Sequence, residues 1–513
     1  MTDQSSKSPL LKSHYVMLLV VCITAICGIV YELMISTAAS YLMGDSVKQF
    51  SIIIGIYMSS MGLGAYLSKF FNDKLIERFL QVEIIVSLIG GSSIILIFYF
   101  YAMGGILYSI VLYGLTILIG MLVGFEIPLV IRIMENILKL KENVANVLAF
   151  DYVGGLVGSV AFPLLLLPSL GIMKTAMLMG ALNLISALWL ILKLKNFKHK
   201  KAYLAFVIVF ISLLGAGMLY AEPINYYLEQ NLYKDKVIIT EQTRYQKLVV
   251  TRYKNDIRLF IDGNLQFSST DEYRYHEGIV HIPASLTPDL KDVLILGGGD
   301  GLAAREVLKH NSVENIILVD LDKKMIDLFK NNKILSELNN KSLQNPRVQA
   351  ITTDAFDYVN NDNNYYDLII VDLPDPRTPS LSKLYCKQFY QLAKKRLKPA
   401  GILVTQATSP FFSRRTFWCI VKTMEEVFPH VNEYHIDIMS FGDWGFVMGS
   451  KIPVDHKTLK TRKIEVSTRF IHNRLALTFF EFGKDISRPD DIKINTLLSP
   501  VIVQYYLQDW NKW

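Results

Sequence analysis

The sequence predicts two parts of different class. An N-terminal all-α, multi-span membrane domain is followed by an α/β domain built on a doubly wound, mostly parallel sheet with a small β-sheet subdomain at its own N-terminus. Three observations predict this. The first 221 positions carry seven apolar runs of membrane-span length. From Glu222 onward the apolar runs shorten to strand length and alternate with charged helical stretches. Five of the short runs are continuously apolar, the pattern of strands covered on both faces. Composition agrees: of 513 residues, 51% are hydrophobic and 19% charged, with a net charge of +7, too apolar for an ordinary soluble enzyme. Intrinsic disorder, a collagen-like fibre and a small disulfide scaffold are excluded. The expected division is residues 1–221 for the transmembrane domain, 222–285 for the small sheet and 286–513 for the larger α/β domain.

The apolar runs fall at about 15–38, 48–68, 81–102, 105–131, 145–168, 172–192 and 202–221, each close to the roughly 20 helical residues that a hydrocarbon core of about 30 Å requires. Tyr15–Ala39 is too long for a cleaved signal peptide, lacks a small-residue cleavage site and is followed by six more spans. Lys7 and Lys12, then Lys69, Lys74 and Arg78, then Arg132, Lys139 and Lys141, then Lys193, Lys195, Lys198, Lys200 and Lys201 flank one side; Lys48 and Lys174 flank the other. The positive-inside rule puts the amino terminus in the cytoplasm, so seven spans would put the carboxy-terminal domain outside. A one-span error, for instance in the 31-residue stretch Gly104–Met134, reverses that result.

Glu32, Glu83, Glu126 and Asp151 lie within spans. They read either as a polar pocket for a cation or as interhelical hydrogen bonds near span ends. Gly62-Leu63-Gly64 and Gly154-Gly155 with Gly158 suit close helix packing. The basic excess sits in membrane-flanking loops, so nucleic-acid binding is not indicated. Cys22, Cys27, Cys386 and Cys419 read as reduced structural thiols, and no metal site is expected.

In the second half, Val237–Thr240, Lys247–Arg252 and Ile257–Ile261 read as short strands, the last closed by the turn Asp262-Gly263. The continuous runs Val293–Leu296, Ile316–Val319, Val348–Ile351, Leu368–Val371 and Gly401–Val404 then form the larger sheet, with ligands expected at the strand carboxyl ends. The first run enters Gly297-Gly298-Gly299-Asp300-Gly301 and a helix over 302–310, a turn that lets backbone approach a nucleoside. Asp320 ends the next strand, where an acid can accept ribose hydroxyls. Asp354-Ala355 ends the third, at the place for an adenine amino group. The fourth ends in Asp372-Leu373-Pro374-Asp375-Pro376, two acids read as a negative site beneath a lid, or as caps and turn formers. Ser440–Phe446 offers aromatic residues for a methylene chain or for core packing, and residues 454–513 read as a solvated face.

Five ordered blocks resemble the spermidine synthase family of polyamine aminopropyltransferases over about 235–450: Gln242–Gln246, Asp262–Gln266, Asp271–Glu277, Gly297–Gly301 with Arg305-Glu306-Val307, and Asp372–Pro376. The preceding helices resemble the variant fused to a multi-span membrane domain. The resemblance implies a Rossmann-like, class I methyltransferase-like catalytic fold and a cell-membrane, multi-pass protein; because the donor is made and kept in the cytosol, a cytoplasmic active site is expected despite the span count. It implies transfer of the aminopropyl group of decarboxylated S-adenosylmethionine, a co-substrate rather than a cofactor, to a diamine. Putrescine is the expected acceptor, giving spermidine and methylthioadenosine. By the same resemblance Gln246, Asp320, Asp354, Ala355 and Pro379 hold the donor nucleoside, His276, Asp300, Asp372 and Asp375 contact the amines, and Asp372 is the proton acceptor. The expected partners are these small molecules, the lipid bilayer and further copies of the chain. Two departures stand out: Asp320 replaces the usual Glu, and Pro374 separates the two acids.

The chemistry explains the acids without the family. An amine attacking carbon beside a sulfonium must first lose a proton, and a carboxylate can take it. Asp300, Asp372 and Asp375 would also attract a dication and align it. Two alternatives remain: a methyltransferase using intact S-adenosylmethionine, and a non-catalytic polyamine transporter or sensor. Asp300 discriminates against the first, because it would repel the carboxylate that a methyl donor keeps. No basic partner beside Asp300 is evident in the sequence.

Overall fold

The computed structural model describes residues 8–43, 46–103, 106–135, 139–193, 199–460, 464–510 and 512. Lys7, Gly104, Lys195 and Lys198 lie outside the described residues, as does the side chain of Lys12. The chain divides into two compact units at Gln246/Lys247.

The first unit is built of long helices: α1 (Ser8–Met43), α2 (Ser46–Leu67), α3 (Leu75–Met103), α4 (Ile106–Met134), α5 (Leu140–Ala161), α6 (Leu167–Lys193) and α7 (Lys200–Leu219). A shorter helix α8 (Ala221–Leu232) and strand β1 (Lys236–Gln242) complete it. Among the described residues, six helical stretches are long and apolar enough to cross a membrane, and one of them, Leu140–Lys193, is 54 residues long. At 1.5 Å per residue that stretch would reach about 80 Å, far beyond a core of about 30 Å. It breaks at Gly171 (φ 71°, ψ 174°), which separates two pieces each of span length. Small residues set the packing: a Cβ on Gly64 would meet the Met121 carbonyl at 1.9 Å, and one on Gly124 the Met61 carbonyl at 2.1 Å, so α2 and α4 touch through backbone. Gly154 and Gly158 meet α1 in the same way, whereas Gly62 and Gly155 face open space.

The second unit begins with an antiparallel meander, β2 (Lys247–Tyr253), β3 (Asp256–Ile261) and β4 (Asn264–Ser268). Asp262 (φ 47°) and Gly263 (φ 78°) form a two-residue turn with both φ positive, the geometry whose twist matches that of the flanking strands. That turn leads into β4, a strand the apolar pattern did not predict. Helix α9 (Glu272–Leu286) follows, then β5 (Asp292–Gly297), α10 (Leu302–Val307), β6 (Asn315–Asp320), β7 (Val348–Thr352), β8 (Tyr366–Asp372), β9 (Leu397–Gln406), β10 (His430–Ile438) and β11 (Gly442–Ser450).

The large sheet has the order β10-β11-β9-β8-β5-β6-β7. Its five central and right-hand strands are parallel, and β11 and β10 add an antiparallel edge. The order reverses at β5, with β6 on one side and β8 on the other, which opens a crevice at their carboxyl ends. Strands β5 and β8 are buried almost throughout, as their apolar runs predict. Two expectations need correction. Val348–Ile351 is not covered on both faces: β7 is the outer strand and three of its five residues are exposed. Nor is 454–513 only a solvated face, because Ile486, Ile492, Ile502 and Tyr505 are buried in the second unit. Mixed charges hid these single apolar anchors.

Candidate active site

The crevice is shaped first by glycines. Gly297 (φ 88°) pairs with Asp372 across β5 and β8, and a Cβ there would lie 2.0 Å from the Asp372 carbonyl oxygen. The Gly298 amide donates to that same oxygen at 3.1 Å, which ties the loop to the end of β8. A Cβ on Gly299 would strike Asp320 Oδ2 at 2.6 Å, and its amide instead donates to that oxygen at 3.0 Å. Gly301 (φ 75°) turns the chain into α10. The loop thus needs left-handed backbone at Gly297, Gly298 and Gly301, which residues with a Cβ adopt only at a cost.

Carboxylates gather around this turn. Asp300 receives the Leu302 amide at 2.9 Å, and burial raises its pKa to about 6; the His276 charge opposes that shift and Asp372 adds to it. Asp372, at the end of β8, accepts the Tyr275 hydroxyl through Oδ1 at 2.6 Å. Burial, then the Asp372 charge, keep the Tyr275 phenol well above its ordinary range, so it remains a donor. Asp375 accepts from Tyr506 (3.0 Å) and Gln406 (3.3 Å), with Thr408 at 3.4 Å, and burial pushes its pKa up.

His276 faces the same carboxylates. Its Nδ1 lies 2.7 Å from Glu272 Oε2, one helical turn back on α9. Burial alone would lower its pKa, but the Glu272 hydrogen bond and charge, then Asp300 and Asp372, raise it to about 9. Arg305 on α10 donates to both Glu272 oxygens at 2.9 Å. Asp300 therefore does have a basic neighbour, His276, which the linear sequence concealed because the two are brought together by α9 crossing the loop.

The candidate nucleoside residues are arranged differently. Asp320 ends β6 and accepts the Gly299 and Asp322 amides on its two oxygens, and burial raises its pKa to about 6. Each oxygen keeps a second lone pair for a ribose hydroxyl. Asp354 caps a helix by accepting the Phe356 amide at 2.8 Å and pairs with Lys383 at 2.7 Å. Burial opposes its charge, yet Lys383 holds its pKa below the usual range. Ala355 is buried beside it, and Pro379 opens a short helix capped by Thr378. Gln246 closes the first unit, where its amide is held by Thr243 Oγ1 at 3.0 Å.

The structure thus brings His276, Asp300, Asp372 and, through the glycine loop, Asp320 to one end of the sheet. Sequence reasoning missed Tyr275, Gln406, Thr408 and Tyr506. Tyr275 adjoins His276 in a block already singled out, a signal that could have found it. Tyr506 lies 131 residues from Asp375, and nothing local marks it. Phe446 belongs to the core, stacking on Tyr434 at 5.1 Å between ring centroids.

A family profile described as "Spermine/spermidine synthase domain" matches residues 272–458. A relative named "Polyamine aminopropyltransferase" from Leptospira interrogans is 43% identical, over 96% of this chain and 98% of its own length. Another of that name from Oceanobacillus iheyensis is 41% identical, over 96% of each. A crystal structure of spermidine synthase with the transition-state analogue AdoDATO is 26% identical over 48% of this chain and 85% of its own, with a TM-score of 0.45. The glycine loop, the acid-bearing end of β8 and the near full-length identity agree, and the chain belongs to the spermine/spermidine synthase family of polyamine aminopropyltransferases.

Proposed function

We propose that the chain transfers the aminopropyl group of decarboxylated S-adenosylmethionine to putrescine, giving spermidine and methylthioadenosine. The observation that carries this reading is the convergence of Asp300 and Asp372 with His276 beside the glycine loop. A diamine dication and the donor's ammonium are held by carboxylates, and the amine nearest Asp372 gives up its proton there. Its freed lone pair attacks the carbon next to sulfur, the carbon–sulfur bond breaks towards sulfur, and the neutral thioether leaves. Tyr275, donating to Oδ1, steers the proton to Oδ2 of Asp372. Asp320 holds the ribose, while Asp354, Ala355 and Pro379 hold the rest of the donor nucleoside.

The test incubates purified protein with putrescine and either the decarboxylated or the intact donor, and follows methylthioadenosine by chromatography. Release only with the decarboxylated donor is expected; turnover only with the intact donor refutes the assignment. We further propose that the helical unit inserts in the cell membrane with the catalytic unit in the cytoplasm, where its donor is made. Six stretches of span length and composition support insertion. With Leu140–Lys193 broken in two, seven crossings put the amino terminus outside, against the basic-loop count. A reporter fused after Trp513 reads the side directly.

A further inference from the structure

The helical unit buries a second group of acids that the transfer reaction does not use. Glu83 on α3 is 0% exposed and neither carboxylate oxygen has a hydrogen-bond partner outside the pair; Glu126 on α4 is 5% exposed and its Oε1 has none outside it. The two side chains interact directly with each other. Other helices bring polar groups to the same height. Cys27 Sγ donates to the Met179 carbonyl at 3.4 Å, one turn before Asn183, while Gly180 packs on the Ser87 carbonyl, one turn after Glu83. Both amide atoms of Asn183 and the Tyr31 hydroxyl lack partners although both residues are fully buried. Buried polar atoms in this state are uncommon and need a physical reason.

Among the described residues, the groups acting on the pair are Thr24, Cys27 and Tyr31 from α1, Tyr57 from α2 and Asp151 from α5, and Asn183 of α6 lies one turn from the contact of Gly180 with Ser87. None of these is basic. Two carboxylates in contact, in an apolar interior without a counter-cation, repel each other, and one shared proton removes the repulsion. The helices approach too closely for a bulky ion: a Cβ on Gly90 would lie 2.5 Å from the Tyr31 ring, and one on Gly28 3.1 Å from Val123. A proton needs no such room. The Tyr31 hydroxyl and the Asn183 amide can donate to the carboxylate that remains when the proton leaves.

We propose that Glu83 and Glu126 form a proton-binding site inside the helical unit, which makes that unit a proton-responsive element and not an inert anchor. The test uses full-length protein in lipid nanodiscs. Infrared spectra should show the carbonyl band of a protonated carboxyl group that shifts in Glu83→Gln and in Glu126→Gln and is lost in the double variant, since either carboxyl left alone in the apolar interior keeps its proton. Dicyclohexylcarbodiimide, which adds to protonated carboxyls in apolar surroundings, should label Glu83 or Glu126 in a mass map, and labelling should fall as pH rises. Aminopropyl transfer retained in all three variants shows that they fold. Absence of the band from the unsubstituted protein, or its persistence in the double variant, overturns the proposal regardless of reagent access. So does protection from labelling at fixed pH by sodium ion or by putrescine, which would assign the pair to a metal or organic cation.

Discussion

Asp372→Asn tests the proton acceptor with little steric change. The amide oxygen can still accept the Tyr275 hydroxyl now bonded to Oδ1 at 2.6 Å, and the backbone carbonyl that receives the Gly298 amide is untouched. The glycine loop and the end of β8 should keep their geometry. What is lost is the group that can take a proton and one negative charge, which the proposed mechanism sets against the amine. General-base catalysis contributes roughly 10²–10⁴-fold, or about 3–5 kcal/mol of barrier. We expect kcat to fall by that factor, with methylthioadenosine affinity within about threefold of the parent, since only the amine side is altered. The assay is steady-state methylthioadenosine release with saturating donor and putrescine, alongside equilibrium binding of methylthioadenosine. A kcat within about threefold of the parent would remove Asp372 from the proton transfer and leave positioning as its only role.

Three further outcomes follow from the geometry. Removing the Tyr506 hydroxyl (Tyr506→Phe) takes one hydrogen bond from buried Asp375. At about 1.5–3 kcal/mol for a bond to a charged group, KM for the amine should rise roughly tenfold to a hundredfold, read from initial rates. Gly297→Ala forces a Cβ to within 2.0 Å of the Asp372 carbonyl at φ 88°, so the loop must shift; activity should be lost and thermal unfolding should come earlier, by scanning calorimetry. His276 has a folded pKa of about 9, above its ordinary 6.5. The stability it contributes is full below about pH 6.5 and lost as pH rises through 9, so the unfolding temperature should decline over that window, and His276→Gln should flatten the decline.

The parts of this protein that could be read from sequence are those where one local pattern answers one physical demand. Continuous apolar runs marked β5, β6, β8 and β9 because a central parallel strand must be apolar on both faces. Left-handed turns marked the loop at Gly297–Gly301, because few residues other than glycine take that backbone. The antiparallel hairpin β10–β11 and the short β4 carry no such run. The gathering of acids was legible where they terminate strands, and illegible where their supports come from afar. The Glu272–His276 pair follows helical spacing of four, but Arg305, which fixes Glu272, reaches it across 33 residues. Asp354 shows the converse: an acid placed at a strand end by pattern is also a helix cap paired with Lys383, a role that sequence alone left out.

Asp375 is gripped by Gln406 and Thr408 near the end of β9 and by Tyr506 on the last helix, Val501–Trp510. On the proposed assignment of Asp375 to the amine, the last helix has two duties: Tyr506 bears on the diamine, while Ile502 and Tyr505 are buried in the core. Purification tags joined directly after Trp513 call for a spacer, and a shortened chain should be judged for folding first, with selectivity among diamines of different length read on single substitutions at Tyr506.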